Sequence, residues 1–186
     1  ELIVRVGANV QPGQTVFVLG APEHAPLARA ILEVAWEADA GDAQIVYIDE
    51  VESLLRVEHA AEEVLDEAPV PRQRTFEWML EAQAVEIYLD GDVFPERWAE
   101  VDGARAARVH RPKSSVPIRR RLINEGRMAW TYVGVPTEAW ATRVFGEPDL
   151  GRLEAAIAEA VRLDLPDPAQ AWRDHLDRLA GRCALL

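Results

Sequence analysis

The feature that most constrains this chain is the alternation of short apolar runs with segments of helical spacing. Four runs are nearly continuous in apolar, often β-branched residues: 15–19, 43–48, 85–89 and 128–133. A continuous apolar run is typical of a parallel strand that is buried on both faces. Strands that alternate with helices form parallel βαβ units. The alternation therefore predicts an α/β fold.

Helices are predicted between these strands, over residues 24–39, 51–67 and 72–82. Right-handed crossovers through such helices cover both faces of the sheet. We therefore expect a flavodoxin-like sandwich of about four parallel strands within residues 1–135. Its interior is predicted to consist of Val16, Val18, Ile45, Val46, Ile48, Val85, Ile87 and Leu89.

Residues 136–186 have a different pattern, which predicts a helical extension. Thr137, Asp149 and Asp167 stand where three helices are predicted to begin. The third helix has one apolar stripe, formed by Trp172, Leu176, Leu179 and Cys183. A cysteine on such a stripe is typically a small buried hydrophobe, so Cys183 is predicted to be structural and to react slowly with thiol reagents.

Charge and composition exclude several classes of protein. The chain has 32 acidic and 20 basic residues, a net charge of −12, which argues against nucleic acid and anionic membranes as partners. Its single cysteine excludes an internal disulfide and multi-cysteine zinc modules. No apolar run approaches the roughly 20 residues of a membrane span, so a cytoplasmic protein is the default expectation. The chain begins without Met in an apolar stretch and ends on two leucines, which favours a fragment of a longer protein.

The carboxyl ends of the predicted strands are the expected position of a ligand-binding or catalytic site, since open parallel sheets bind ligands there. These ends hold residues 20–24, 49–50, 90–92 and 134–137. Asp90 and Asp92 resemble the aspartate pair of haloacid-dehalogenase-type phosphatases. However, Phe94 stands where that pattern has Thr or Val, and Lys113 is the only lysine of the chain. A magnesium site at this edge is therefore disfavoured.

Other catalytic patterns are weak or missing. Gly20 is followed by Ala-Pro-Glu, which fits neither a phosphate-binding loop nor a dinucleotide fingerprint. His59 and Glu63 stand four residues apart on the second predicted helix, but a zinc site needs further ligands. We therefore predict no catalytic and no metal-binding residue within these 186 residues.

One segment departs from the acidic background. Residues 104–127 contain eight basic residues and one acid, Glu125. One interpretation is a solvated helix–loop–helix whose arginines pair with the acidic surface. The other is an anion-facing edge near a substrate or a partner domain. The sequence leaves both interpretations open.

Seven short motifs follow one another in an order that is known from one family. They are residues 1–14 with 25–30, 90–95 (DGDVFP), 101–105 (VDGAR), 127–131 (RMAWT), 135–141 (VPTEAWA), 145–147 (FGE) and 167–172 (DPAQAW). In order and spacing the chain resembles the thermophilic metallo-aminopeptidases, the family of aminopeptidase T, aminopeptidase S and PepS. The resemblance covers nearly the whole chain.

This resemblance implies a hydrolase, a metalloprotease with an N-terminal α/β domain and a C-terminal domain that carries a two-metal site of Glu, His and Asp ligands. It implies that residues 1–186 are the N-terminal domain and are inactive alone. The divalent metals, zinc, cobalt or manganese, would belong to the missing C-terminal domain. The segment would then be a scaffold and a wall at the substrate entrance. Arg119, Arg120 and Arg121 are the predicted substrate-access residues, because the far end of a peptide is a carboxylate.

The implied partners are peptide substrates, the chain's own C-terminal domain and, in a homodimer, a second copy. The alternative function is a free-standing flavodoxin-like module that binds a small ligand in the strand-end crevice or has a regulatory role. Sequence beyond residue 186 that supplies Glu, His and Asp ligands would favour the aminopeptidase.

Overall fold

The computed structural model of the chain describes residues 1–91, 93–110 and 116–185. Four strands form a sheet within these ranges: β1 (Thr15–Gly20), β2 (Asp42–Tyr47), β3 (Val85–Asp90) and β4 (Trp130–Gly134). Neighbouring strands pair in parallel, in the order β2-β1-β3-β4. The predicted α/β class is confirmed, and each predicted strand lies within two residues of its observed position.

Helices connect the strands and continue beyond the sheet. They are α1 (Ala25–Glu37), α2 (Glu50–His59), α3 (Val70–Glu81), α4 (Pro95–Glu100), α5 (Gly103–His110), α6 (Val116–Asn124), α7 (Glu138–Phe145), α8 (Leu150–Ala160) and α9 (Pro168–Cys183). Single helical turns lie at Ile3–Gly7, Pro22–His24 and Glu62–Val64. Among the described residues, these helices are too short or too polar to cross a lipid bilayer.

Both faces of the central strands are buried, which explains why their sequences are almost uninterrupted in apolar residues. On one face, Val18 and Ile87 pack with Ile31 of α1 and with the N-terminal turn. On the other face, Phe17 packs against Met79 of α3. The predicted interior is confirmed for the two central strands, whose buried members are Val16, Val18, Val85, Ile87 and Leu89.

Strand β2 forms one edge of the sheet, and its side chains are less buried than the sequence predicts. Ile45, Val46 and Ile48 are only half-buried. An edge strand has a neighbour on one side only, so part of each side chain stays in contact with water. The apolar run of β2 alone does not distinguish an edge position from a central one.

The second helix ends earlier than predicted. The sequence predicts one helix over residues 51–67, but α2 ends at His59, and Ala60 takes an extended conformation with ψ 145°. The chain then turns back so that Leu65, fully buried, packs with Val57. Burial of this leucine outweighs the local helix propensity of the Ala-Ala-Glu-Glu sequence.

Arginine side chains hold the turn after α2 in place. Arg56 donates hydrogen bonds to the carbonyl oxygens of Val64 and Glu67. From α5, Arg105 donates from Nε to the carbonyl oxygen of Val57 at 2.7 Å and from Nη2 to that of Ala60. The bonds from Arg105 satisfy carbonyl groups at the end of α2, where a helix leaves its last carbonyls without intrahelical partners.

The helices α7, α8 and α9 follow the last strand, as the pattern after residue 136 predicts. Each begins at the predicted cap, where the side chains of Thr137, Asp149 and Asp167 accept backbone hydrogen bonds. The division of the chain at residues 135 and 136 into two parts stays a prediction.

The prediction of a buried Cys183 is wrong, because Cys183 is exposed. Trp172, at the start of α9, is half-buried and donates to the carbonyl oxygen of Val161 at 2.7 Å. Farther along the same stripe, Leu176 and Leu179 are exposed. Helical spacing shows that residues share a face but not whether another element covers that face.

Candidate ligand-binding crevice

A crevice of about 470 Å³ lies at the carboxyl ends of β1 and β3. The chain runs outward from β1 to β2 on one side of the sheet, and β3 then pairs with β1 on its other side. This point, where the strand order reverses, is the usual ligand-binding position in open parallel sheets. Its lining includes Gly20, His24, Glu50, Asp90, Gly91 and Trp98.

His24 is the most unusual side chain of the crevice. It ends the turn Pro22–His24 that joins β1 to α1, and it is only 4% exposed. Its Nδ1 accepts a hydrogen bond from the backbone N–H of Ala21 at 3.3 Å. In a neutral imidazole whose Nδ1 is an acceptor, the hydrogen-bond network assigns the proton to Nε2.

That Nε2 group has no hydrogen-bond partner among the described residues. Buried polar groups are almost always paired in folded proteins, and an unpaired buried donor is unfavourable. His24 therefore presents a buried N–H donor for which the described part of the chain supplies no acceptor.

Glycine at two positions lets the neighbouring chain pack closely around the imidazole. A Cβ atom at Gly20 would lie 3.1 Å from His24 Nδ1 and 2.9 Å from the Leu89 Cβ. A Cβ atom at Gly91 would lie 3.4 Å from His24 Nε2 and 2.5 Å from the carbonyl oxygen of Val135. Glycine at position 20 therefore fits the close approach of β1 to Leu89 of β3, and glycine at position 91 fits the close approach to the backbone at Val135.

Acidic side chains form another wall of the crevice. Glu50, at the start of α2, accepts from the indole Nε1 of Trp98 at 3.1 Å and from the backbone N–H of Val93 at 3.4 Å. Asp90, the last residue of β3, is exposed.

Tyr88 also lines the crevice, and its environment raises the pKa of its hydroxyl. Burial is the largest cause, followed by electrostatic interaction with Tyr132, Asp90 and Glu50.

The structure separates the acids that the sequence places at the strand ends. Asp49 caps α2, where its Oδ1 accepts from the backbone N–H groups of Val51 at 2.8 Å and Glu52 at 3.2 Å. Glu50 and Asp90 line the crevice. Asp92 lies outside the described residues.

No group of three or more His, Cys, Asp or Glu side chains with metal-binding geometry occurs among the described residues. His59 and Glu63 do not share a helix, because α2 ends at His59 and Glu63 lies in the following turn. The exposed His59 ring instead lies 3.6 Å from the carboxylate of Glu58. The pairing that four-residue spacing suggested is therefore wrong, since it assumed a continuous helix.

The basic segment pairs in large part with acidic side chains. Arg108 on α5 bonds to Glu62 and to Asp66, the latter at 2.9 Å. On α6, Arg119 pairs with Glu86 of β3 at 2.7 Å. Arg120 and Arg121 of α6 are exposed, whereas Arg111 and Lys113 lie outside the described residues.

Sequence reasoning did not single out His24 or Glu86. A signal for Glu86 exists, because a lone acid inside the apolar run of β3 predicts a buried charge that needs a partner. His24 carries no comparable signal. Its imidazole lies beside Gly91, which is distant in sequence and comes close only in the folded chain.

Comparison with known proteins gives consistent matches over the whole chain. The profile of one family, described as thermophilic metalloprotease (M29), matches residues 1–186. Aminopeptidase 2 of Geobacillus stearothermophilus is 37% identical over 185 residues, which cover 97% of this chain and 45% of that protein. Aminopeptidase T of Thermus aquaticus is 30% identical over 205 residues, which cover 100% of this chain and 47% of that protein.

A solved structure has the same fold. Wild-type AmpT from Thermus thermophilus superposes on the chain with a TM-score of 0.76 at 26% identity, over 94% of this chain and 43% of that one. The chain spans about half the length of the curated relatives that it matches.

Proposed function

Because the chain belongs to the thermophilic metalloprotease (M29) family, we propose that it is the N-terminal scaffold and substrate-access domain of a metal-dependent aminopeptidase. The whole protein would release N-terminal amino acids from peptides. The observation that carries this proposal is the extent of the matches: the two aminopeptidases compared above align with 97% and 100% of this chain.

The metal chemistry is assigned to another part of the protein. The described residues do not fit a metal site, since no group of three or more potential ligands comes together among them. The relatives are about twice as long as the part that this chain matches. In our proposal the ligands for zinc, cobalt or manganese lie in that second part, and the present chain supplies none.

The substrate-access role is assigned to the exposed arginines of α6. Arg120 and Arg121 are exposed and can meet the carboxylate at the far end of a peptide in a charge-assisted hydrogen bond. Arg119 supports them indirectly, because its bond to Glu86 anchors α6 on the sheet. It is a positioning residue in this proposal.

The proposal that this chain is a scaffold is tested by assaying the 186-residue chain beside the longer protein that the proposal expects its gene to encode. With added cobalt, zinc or manganese, we expect the longer protein to cleave leucine p-nitroanilide and the 186-residue chain to be inactive. Metal-dependent cleavage by the pure chain, unaffected by removal of contaminating peptidases, would overturn the scaffold role. An inactive longer protein would overturn the aminopeptidase function itself.

The access residues are tested in the longer protein with the double variant Arg120→Ala/Arg121→Ala. We expect KM to rise severalfold for Leu-Gly-Gly with a free carboxylate, and to stay unchanged for the amidated peptide, because only the first has the anion. Arg29→Ala, an exposed arginine on α1, is the matched control. Equal KM changes for both peptides would assign these arginines to a structural role.

A further inference from the structure

We propose that the second half of α9 is the surface on which the second part of the longer aminopeptidase packs. An apolar stripe of Leu176, Leu179 and Cys183 makes the contact, and Arg178 and Arg182 form a basic flank beside it. The matching surface on the second part presents apolar side chains bordered by carboxylates. This inference rests on the proposed function, because only the longer protein contains such a second part.

Exposed leucines are concentrated in and just before α9. Among the described residues six leucines are exposed, and five of them lie within residues 163–185: Leu163, Leu165, Leu176, Leu179 and Leu185. Leu176, Leu179 and Cys183 share one face of the helix, because they stand three and four residues apart. Single exposed apolar residues are normal on a protein surface, whereas a group on one face indicates an interaction site.

The beginning of α9 is fixed to the chain before it, and its second half is exposed. Trp172 donates from its indole to the carbonyl oxygen of Val161 at 2.7 Å, and the Arg162 guanidinium lies 4.9 Å from the centroid of its ring. Every residue from 176 to 185 is exposed. Helices in proteins gain most of their stability from packing of an apolar face. A partner on the stripe would supply that packing.

The basic flank determines which charge the partner should carry. His175, Arg178 and Arg182 stand three and four residues apart, so they share the side of α9 next to the stripe. The pKa of His175 is lowered, first by desolvation and then by the charges of Arg162, Arg178 and Arg182. Arg178 and Arg182 form no ion pair with any described residue. Carboxylates on the partner would therefore complement this side of the helix.

Length and charge favour the second part of the longer protein as the occupant. The relatives are about twice as long as the part that this chain matches. A covalently linked partner docks at a high effective concentration, so a small apolar stripe is enough to hold it. A second copy of the chain complements the stripe less well. Two α9 helices packed antiparallel about a two-fold axis would set Arg178 and Arg182 against the same arginines of the other copy.

The docking is tested by the rate at which a maleimide modifies Cys183, located by mass spectrometric peptide mapping. The protection ratio is the rate in the 186-residue chain divided by the rate in the longer protein. We expect a ratio of at least about 10, because a covered thiol reacts only when the contact opens. A ratio of 1 would overturn the docking. Slow modification of the 186-residue chain itself, with a dimer in analytical ultracentrifugation, would assign the stripe to a second copy and also overturn it.

The double variant Leu176→Gln/Leu179→Gln tests the stripe. Gln and Leu have similar helix propensities and both positions are exposed, so the 186-residue chain should keep its thermal midpoint. In the longer protein the variant buries amides without partners, so the protection ratio should fall at least about fivefold. Leu55→Gln on α2 is the matched control, because Leu55 is 46% exposed and Leu176 is 47% exposed. Equal ratios for the double variant and the control would contradict the role of the stripe.

The variant Arg178→Glu/Arg182→Glu tests the flank. It sets carboxylates against the carboxylates of the partner, so the protection ratio should fall severalfold. Arg29→Glu, at an exposed position of α1, should leave the ratio unchanged. An unchanged ratio in the α9 variant would overturn the assignment of the flank. If a variant fails to fold, as judged by circular dichroism, the ratio for the unmodified proteins still decides whether α9 is covered.

Peptidase activity of the same samples separates this inference from the proposed function. An active longer protein whose Cys183 reacts as fast as in the 186-residue chain would overturn the docking alone. An inactive longer protein whose Cys183 is protected would support the docking and overturn the aminopeptidase function alone.

Discussion

Arg119 of α6 donates from both Nε and Nη2 to a single carboxylate oxygen, Oε2 of Glu86, at 2.8 and 2.7 Å. Glu86 lies in a central strand and is 2% exposed. A charge this deeply buried is tolerated because it is paired, and removal of one partner leaves the other charge unpaired in the interior.

We expect Arg119→Met to lower the free energy of unfolding by about 3 kcal/mol, since Glu86 would then be a buried carboxylate without a partner. The double variant Glu86→Met/Arg119→Met should recover most of this loss, because an apolar pair needs no charge compensation. Urea unfolding measures both. Arg120→Met, at the exposed neighbouring position, should change stability by less than about 0.5 kcal/mol. A harmless Arg119→Met would show that the pair contributes little.

The position of a strand in the sheet predicts how much an Ile→Ala substitution in that strand lowers the free energy of unfolding. Ile87→Ala, in central β3, should cost about 2–5 kcal/mol, whereas Ile45→Ala, on the half-buried edge strand, should cost less. Glu33→Ala on the exposed side of α1 is the control. Glu62 would be a poor control, because it bonds to Arg105 and Arg108. Equal denaturation midpoints for Ile87→Ala and Glu33→Ala would contradict the central place of β3.

Two glycines of the chain should respond to alanine in opposite directions. A Cβ at Gly41 would lie 2.4 Å from the carbonyl oxygen of Gly13, a backbone atom, so Gly41→Ala should destabilise the fold by about 1–3 kcal/mol. A Cβ at Gly181, in the exposed part of α9, would meet nothing within 4 Å. Gly181→Ala should therefore stabilise by about 0.5–1 kcal/mol, the difference in helix propensity. Thermal unfolding of both variants checks the contrast, which fails if the two shifts have the same sign.

The free energy of unfolding should fall at alkaline pH because Tyr88 ionises less readily in the folded chain than in the unfolded chain. Burial raises its pKa, so above about pH 10 the unfolded chain loses a proton that the folded chain keeps. The free energy of unfolding is then unaffected below about pH 10 and falls as the pH rises toward the pKa of the folded state. Tyr88→Phe should reduce this slope, and Tyr47→Phe, at an exposed position, should leave it unchanged. Identical slopes in urea titrations from pH 8 to about 11 would exclude Tyr88 as the cause.

Cys183 should react with a thiol reagent in the native chain nearly as fast as in the urea-unfolded chain. Its side chain is exposed at the end of α9, and reagent access governs the rate when the thiol is not shielded. Cys183→Ser should leave the thermal midpoint unchanged. Strong protection of the native thiol would show that something covers this part of α9.

The sheet could be predicted from the sequence because its signal is local. Each strand is a short apolar run between turn residues, and the caps Asp149 and Asp167 act on the helix that directly follows them. The end of α2 could not be predicted in this way. It depends on Leu65 and Arg56, whose contacts form only when the chain has turned back on itself.

The position of the candidate crevice could be predicted from the sequence, but the roles of the polar groups that line it could not. The rule that ligands bind at strand ends indicates residues 20–24 and 90–92 from the sequence. Which polar groups are left unpaired there depends on the register of β1 and β3 and on the turn that buries His24. The sequence also places Asp49 and Glu50 side by side without showing that one caps a helix while the other faces the crevice.

The hydrogen bonds that hold the turn after α2 should depend less on salt concentration than the ion pairs at the surface do. Dissolved ions screen the attraction between exposed charges such as Arg127 and Glu125, over a Debye length of about 3 Å at 1 M. Arg56 and Arg105, however, bond in large part to carbonyl oxygens, which carry no net charge. The packing of α5 against the end of α2 should therefore keep its geometry at ionic strengths that weaken the surface ion pairs.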